Sequence, residues 1–77
     1  MKLSKDLTYI EEDLKYIVEF SDASEEEINN LHNSFRNIRE SNPFLKELIN
    51  GIIVVEFHTN NESICQKSLA YIMQTVE

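Results

Sequence analysis

Seven residues, Ile52–His58 (IIVVEFH), constrain the fold more than any other part of the chain. β-branched and aromatic side chains, bounded by Gly51 and by Asn60-Asn61, read as a strand apolar enough to be buried on both faces for part of its length. A strand cannot satisfy its backbone N–H and C=O groups alone. A second strand must come from elsewhere in the chain or from a second copy.

Leu14 to Phe20 is the best internal partner. Val18-Glu19-Phe20 is followed by a polar turn and acidic residues that open a helix. Val55-Glu56-Phe57, 37 residues on, is followed by His58, Thr59, Asn60, Asn61, Glu62 and another helix. This weak echo suggests one strand–turn–helix grammar used twice, and it places Leu14, Tyr16, Val18 and Phe20 on one strand face. The first twenty residues conflict with it. Leu3, Leu7, Ile10, Leu14 and Ile17 recur at four, three, four and three, a helical pattern. We expect a segment of undecided type up to about Asp13, from which residues 7–11 could add a third strand.

Helices are clearer further on. Ile64, Cys65, Ser68, Leu69, Ile72, Met73 and Val76 form one broad stripe, with Asn60 and Asn61 as candidate caps. Ser24-Glu25-Glu26-Glu27 is a capping-box pattern, followed by Ile28, Leu31, Phe35 and Ile38 at helical spacing. Pro43 to Ile49 is predicted as a short helix, opened by Pro43 and closed by Gly51. The rival reading makes Asn50-Gly51 a tight hairpin turn.

The expected fold is α+β. It has a small two- or three-stranded sheet containing a βαβ unit, helices packed on one face and a C-terminal amphipathic helix. Seventy-seven residues, 42% hydrophobic and 27% charged, suit a single compact domain over 1–77. One glycine and one proline leave no flexible linker.

Charge narrows the function. The formal net charge is −7, which disfavours direct contact with nucleic-acid phosphates or anionic membranes and makes a basic protein surface the natural partner. The charge is concentrated. Glu11, Glu12, Asp13, Glu19, Asp22, Glu25, Glu26 and Glu27 are opposed between residues 11 and 27 only by Lys15, and the rest of the chain balances to neutrality. Strand 14–20 would hold the two ends of this cluster roughly 20–24 Å apart. Such a face could enter a Lys- and Arg-lined, nucleic-acid-binding groove of a nucleic-acid-handling protein, in the manner of a nucleic-acid mimic. The competing reading is structural: first-turn acids favour the helix macrodipole, and most charge runs are solvated faces.

Other residues carry less chemistry. His32, His58 and Cys65 are the only soft ligands and do not have a zinc spacing. Cys65 sits on the apolar stripe and reads as a buried structural thiol; His32 reads as partly exposed. The serines lie in no nucleophile motif, and one glycine cannot build a phosphate loop. No catalytic residue, metal site or cofactor is implied, and enzyme activity is not expected. Tyr71 falls off its helix's main stripe and reads as core-edge packing or an interface contact. Asn29, Asn30, Asn33 and Asn37, with Arg36 and Arg39, give the middle helix a polar back.

In gross character the chain resembles small proteins of phages and mobile elements: short, acidic, with one cysteine and rich in Lys, Asn, Ile and Glu. The resemblance implies a stoichiometric inhibitor or modulator, anti-CRISPR-like or otherwise anti-defence, and assigns no residue. The alternative is a structural or assembly subunit acting as a homodimer. A lone cysteine, no apolar signal core and no long apolar run make the cytoplasm, or a host's cytoplasm, the expected location.

Overall fold

The structure is a computed structural model and describes residues 1–75. Its order is β1 (Lys2–Ile10), β2 (Lys15–Ser21), α1 (Glu25–Ser34), β3 (Pro43–Glu47), β4 (Ile53–Phe57) and α2 (Glu62–Thr75), with single 3-10 turns at Glu11–Asp13, Phe35–Asn37 and Arg39–Ser41. The strands form one four-stranded sheet in the order β1-β2-β4-β3, and every neighbouring pair is antiparallel.

This corrects the expected two- or three-stranded sheet with a βαβ unit. β2 and β4 are adjacent as expected, but they run in opposite directions, with Val18 opposite Val55. The cause lies in residues 43–49, predicted as a helix. Pro43–Glu47 is instead the edge strand β3, and β4 follows it through a hairpin, so β4 arrives antiparallel to both neighbours. Asn50 and Gly51 both have positive φ, and the Ile52 N–H donates to the Ile49 carbonyl, the requirement of a type I′ turn. The hairpin reading of Asn50-Gly51 was therefore the right one. Pro43 is tolerated because it opens an edge strand. The apolar spacing that suggested a helix mixes two faces and a turn: Leu45 packs on the core, Phe44 points to the other face, and Leu48 and Ile49 lie in the exposed turn.

The N-terminal conflict has a similar origin. Residues 2–10 are a strand throughout, longer than the 7–11 segment considered. Two register irregularities lie between Leu3 and Lys5 and between Lys5 and Thr8. Each adds one residue to β1 relative to β2. Leu3 and Leu7, four residues apart, share a face as strand alternation also allows. Ile10 and Ile17 belong to the opposite face. Leu14 lies in neither strand; it takes a left-handed conformation in the connection and is 60% exposed.

Val18, Phe20, Ile53, Val55 and Phe57 from the central strands pack against Leu31 of α1 and Cys65 and Ile72 of α2. Both helices therefore lie on one face of the sheet. The Ser24–Glu27 capping box is formed, and the Asn61 side chain accepts from the Ile64 N–H at the start of α2. Of the predicted α2 stripe, Cys65, Ser68 and Ile72 are buried, Leu69 and Met73 pack against the core and Ile64 is half-buried; its last member, Val76, lies outside the described residues. Ser41 and Ser68 are buried and 2.9 Å apart, Ser41 donating to the Ile38 carbonyl. No described helix is long and apolar enough to cross a membrane.

Candidate functional site

Strand alternation gives the second face of the sheet to Lys15, Ile17 and Glu19 of β2, Val54 and Glu56 of β4, and Phe44 and Lys46 of β3. No described helix contributes to it. The thinnest dimension of the molecule is 15 Å, which fits one sheet and one helix layer.

Glu56 is at the centre of this uncovered face, in the most buried strand. Its carboxylate accepts from Lys15 Nζ at 3.0 Å, meets Lys46 Nζ at 3.2 Å and lies 3.1 Å from His58 Nε2. Burial alone would raise the Glu56 pKa. Hydrogen bonds from Lys15 and Lys46, with their positive charge, outweigh burial and hold it below the ordinary carboxylate value. The Glu56 hydrogen bond and the Glu56 and Asp13 charges conversely raise Lys15, against its partial desolvation. This ion cluster was not anticipated. Its signal was a charged residue inside an otherwise apolar strand, Glu56 of IIVVEFH, which requires a partner wherever it is covered.

The acidic residues singled out from the sequence fall into three groups around this face. Glu11, Glu12 and Asp13 form the 3-10 turn between β1 and β2 and are exposed. Glu19 projects from β2 on the uncovered face, in register with Lys5. Asp22, Glu25, Glu26 and Glu27 lie at the far end of β2 and on the first turn of α1. β2 therefore separates the two terminal groups by about 20 Å.

Three of the eight acids have partners. Asp13 lies 3.6 Å from Lys15, and Asp22 lies 3.8 Å from Lys2, both of them exposed carboxylates. Glu27 is structural. It accepts from the Ser24 backbone N–H at 2.9 Å and from the Met1 ammonium at 2.9 Å. The Ser24 N–H first, and then the ammonium, lower its pKa to about 2 against the small opposing effect of burial. Glu11, Glu12, Glu19, Glu25 and Glu26 enter no ion pair among the described residues.

A cleft of about 380 Å³ opens between the first turn of α1 and the β3–β4 hairpin. Glu25, Asn29 and Glu47 line it together with Ile28, Leu48 and Ile52. Leu48 of its lining and the next turn residue, Ile49, are exposed, Ile49 at 76%. A second, more open depression at the other end of β3 is lined by Phe35, Arg39, Phe44 and His58.

The remaining candidates are accounted for locally. Cys65 is buried in the core, where desolvation first and Glu62 second push its thiol up to about 11. His32 is exposed and sits edge-on to Phe35. Tyr71 is on the surface and accepts from Asn37 Nδ2 at 3.1 Å. Among the described residues, no three His, Cys, Asp or Glu side chains come together in a metal-binding arrangement.

Fold and surface together define a small two-layer α+β domain with one bare sheet face between two acidic ends. No protein family, curated protein or solved structure matches the chain.

Proposed function

We propose that this chain is a small protein-binding inhibitor or modulator whose acidic surface docks on a basic, nucleic-acid-binding surface of a partner protein. One observation carries the reading. Five exposed or half-buried carboxylates, Glu11, Glu12, Glu19, Glu25 and Glu26, lack a cationic partner among the described residues and lie along and at both ends of one strand. Unneutralised charge at two separated points suits a groove that otherwise tracks a phosphate backbone. Glu27, and to a lesser degree Asp13 and Asp22, support the fold or have local partners and contribute less. An anti-defence role in a cell's cytoplasm, of which anti-CRISPR activity is one kind, is the setting that the chain's gross character suggests. Catalysis forms no part of this reading.

The alternative, a homodimeric assembly subunit, draws on the exposed Phe44, Leu48 and Ile49. Pairing through a sheet edge is the less favourable route to it. β1 carries two bulges, and β3 is short, begins with proline and carries Lys46, all features that discourage strand addition.

Affinity capture from lysate at low and high salt tests the reading, with wild type compared to a variant in which Glu11, Glu12, Glu25 and Glu26 are lysine. The expected result is one basic nucleic-acid-handling protein, captured at low salt, displaced by duplex DNA and lost in the variant. Capture of that protein equally by the variant would overturn the acidic-surface reading. Salt-resistant recovery of the chain's own copies alone would favour the assembly subunit.

A further inference from the structure

The acidic cluster does not by itself say how a partner is recognised; the cleft beside it does. Two carboxylates face this cleft from different elements. Glu25 comes from the first turn of α1, and Glu47 comes from the end of β3. By register Glu47 lies opposite Ile53, so it projects to the helix-covered side of the sheet, at the end of β3 where it is exposed and lines the cleft. Neither enters an ion pair among the described residues. The reciprocal capping-box bonds engage Ser24 and Glu27 and do not involve the Glu25 side chain.

The rest of the lining is what a long basic side chain requires. Ile28, Leu48 and Ile52 offer an aliphatic wall for its stem, and the Asn29 side chain adds a polar group beside the two carboxylates. At about 380 Å³ the cleft holds one such side chain and not a folded segment. Its mouth is held open by the hairpin turn. Positive φ at Asn50 and Gly51 and the bond from the Ala23 N–H to the Gly51 carbonyl at 2.9 Å fix that turn against the start of α1. Leu48 lines the cleft, and with its chain neighbour Ile49 it forms an adjacent pair of exposed large aliphatic side chains, the one such pair among the described residues. The uncovered sheet face offers no equivalent, because its buried carboxylate is already met by Lys15, Lys46 and His58.

We propose that this cleft receives one arginine or lysine side chain of the protein partner, while Leu48 and Ile49 seat an apolar residue next to it in the partner's sequence. The inference rests on the acidic-docking reading above and refines it. Glu25 at the α1 end contacts the partner through a shaped site together with Glu47, and the acids of the Glu11–Asp13 turn contribute charge without one.

Amide chemical shifts of the full-length ¹⁵N-labelled chain test this directly. The probe is the capped tripeptide acetyl-Leu-Arg-Leu-amide, compared with the same peptide carrying neutral citrulline in place of arginine. Saturable shifts are expected at Ala23, Glu25, Asn29, Glu47 and Gly51. Citrulline should weaken binding at least tenfold. Glu25→Gln and Glu47→Gln should each weaken it several-fold, whereas Glu40→Gln, an exposed acid outside both the cleft lining and the docking acids, should leave it unchanged. The spectra themselves report that each variant is folded.

Equal binding of the citrulline peptide, equal loss in Glu40→Gln, or no shift at the cleft would overturn the proposal. Arginine-dependent shifts confined to the Glu11–Asp13 turn would overturn it too, yet leave the general acidic-surface reading standing. That reading fails separately, in the capture experiment.

Discussion

Lys15 and Glu56 face each other across β2 and β4 at 3.0 Å, on the side of the sheet that no helix covers, with side chains only 15% and 7% exposed. A carboxylate this shielded is held by its cations and not by water. Glu56→Gln should therefore cost about 1–3 kcal/mol of unfolding free energy, because it removes a charge-assisted acceptor and leaves two lysines facing a neutral amide. Replacing the pair together, Lys15→Met with Glu56→Leu, should recover most of that loss. Urea denaturation of the three proteins measures both. A neutral Glu56→Gln would show that the cluster is solvated and structurally idle.

Two depressed carboxylates set the acid limit of the fold. Glu27 titrates at about 2 in the folded chain, and Glu56 also lies below its ordinary value of 4.5. A group whose folded pKa is lowered contributes stability that is complete above the unfolded pKa and is lost as pH falls through the folded one. Stability should thus be level above about pH 5 and decline between about pH 4.5 and 2. Glu27→Gln should be less stable than wild type at pH 6, and the two melting temperatures should converge near pH 2. Parallel curves for the two proteins across that window would remove Glu27 from the account.

The fourth strand and the ion cluster were hidden from the sequence for one physical reason: apolar spacing reports periodicity without saying which face each residue meets. Leu3 and Leu7 mimic a helical step because residues four apart share a face in a strand as they do in a helix, while Ile10 and Ile17 belong to the other face of the sheet. Phe44, Leu45, Leu48 and Ile49 mimic another because they divide between two faces and a turn. What could be read were features enforced locally: the Ser24 capping box, the Asn61 cap, the α2 stripe and the β-branched run of β4. Of the acidic candidates, all eight positions were legible, but only the structure separates Glu27, which caps a helix, from Glu25, which lines a cleft with Glu47.

Gly51 closes the hairpin that brings β4 back antiparallel to β3. Its φ is +72°, and a Cβ there would meet the Ala23 carbonyl oxygen at 3.2 Å and the Ala23 nitrogen at 3.4 Å. Gly51→Ala should lower stability by about 1–2 kcal/mol, the cost of a left-handed conformation for an L-residue. Asn50→Gly, at the other positive-φ position, should change it by less. Thermal melts of the two variants make the comparison. Equal losses would mean that backbone strain at Gly51 is not what governs the turn.

Cys65 is fully buried between the sheet and α2, and its thiol is pushed up to about 11 by desolvation and by Glu62. The reactive species is the thiolate, so both burial and the raised pKa suppress reaction in the native state. Alkylation by iodoacetamide at pH 8 should proceed only through opening of the core. A chain of this size folds with about 4 kcal/mol or more, so labelling should be slower than in concentrated urea by roughly 10³-fold. It should also accelerate in Glu56→Gln by the factor that its urea-measured stability loss dictates. Mass spectrometry of timed samples gives both rates. Rapid labelling of native protein, insensitive to Glu56→Gln, would mean that α2 detaches locally without unfolding the sheet, and that the Cys65 and Ile72 contacts are weaker than their burial implies.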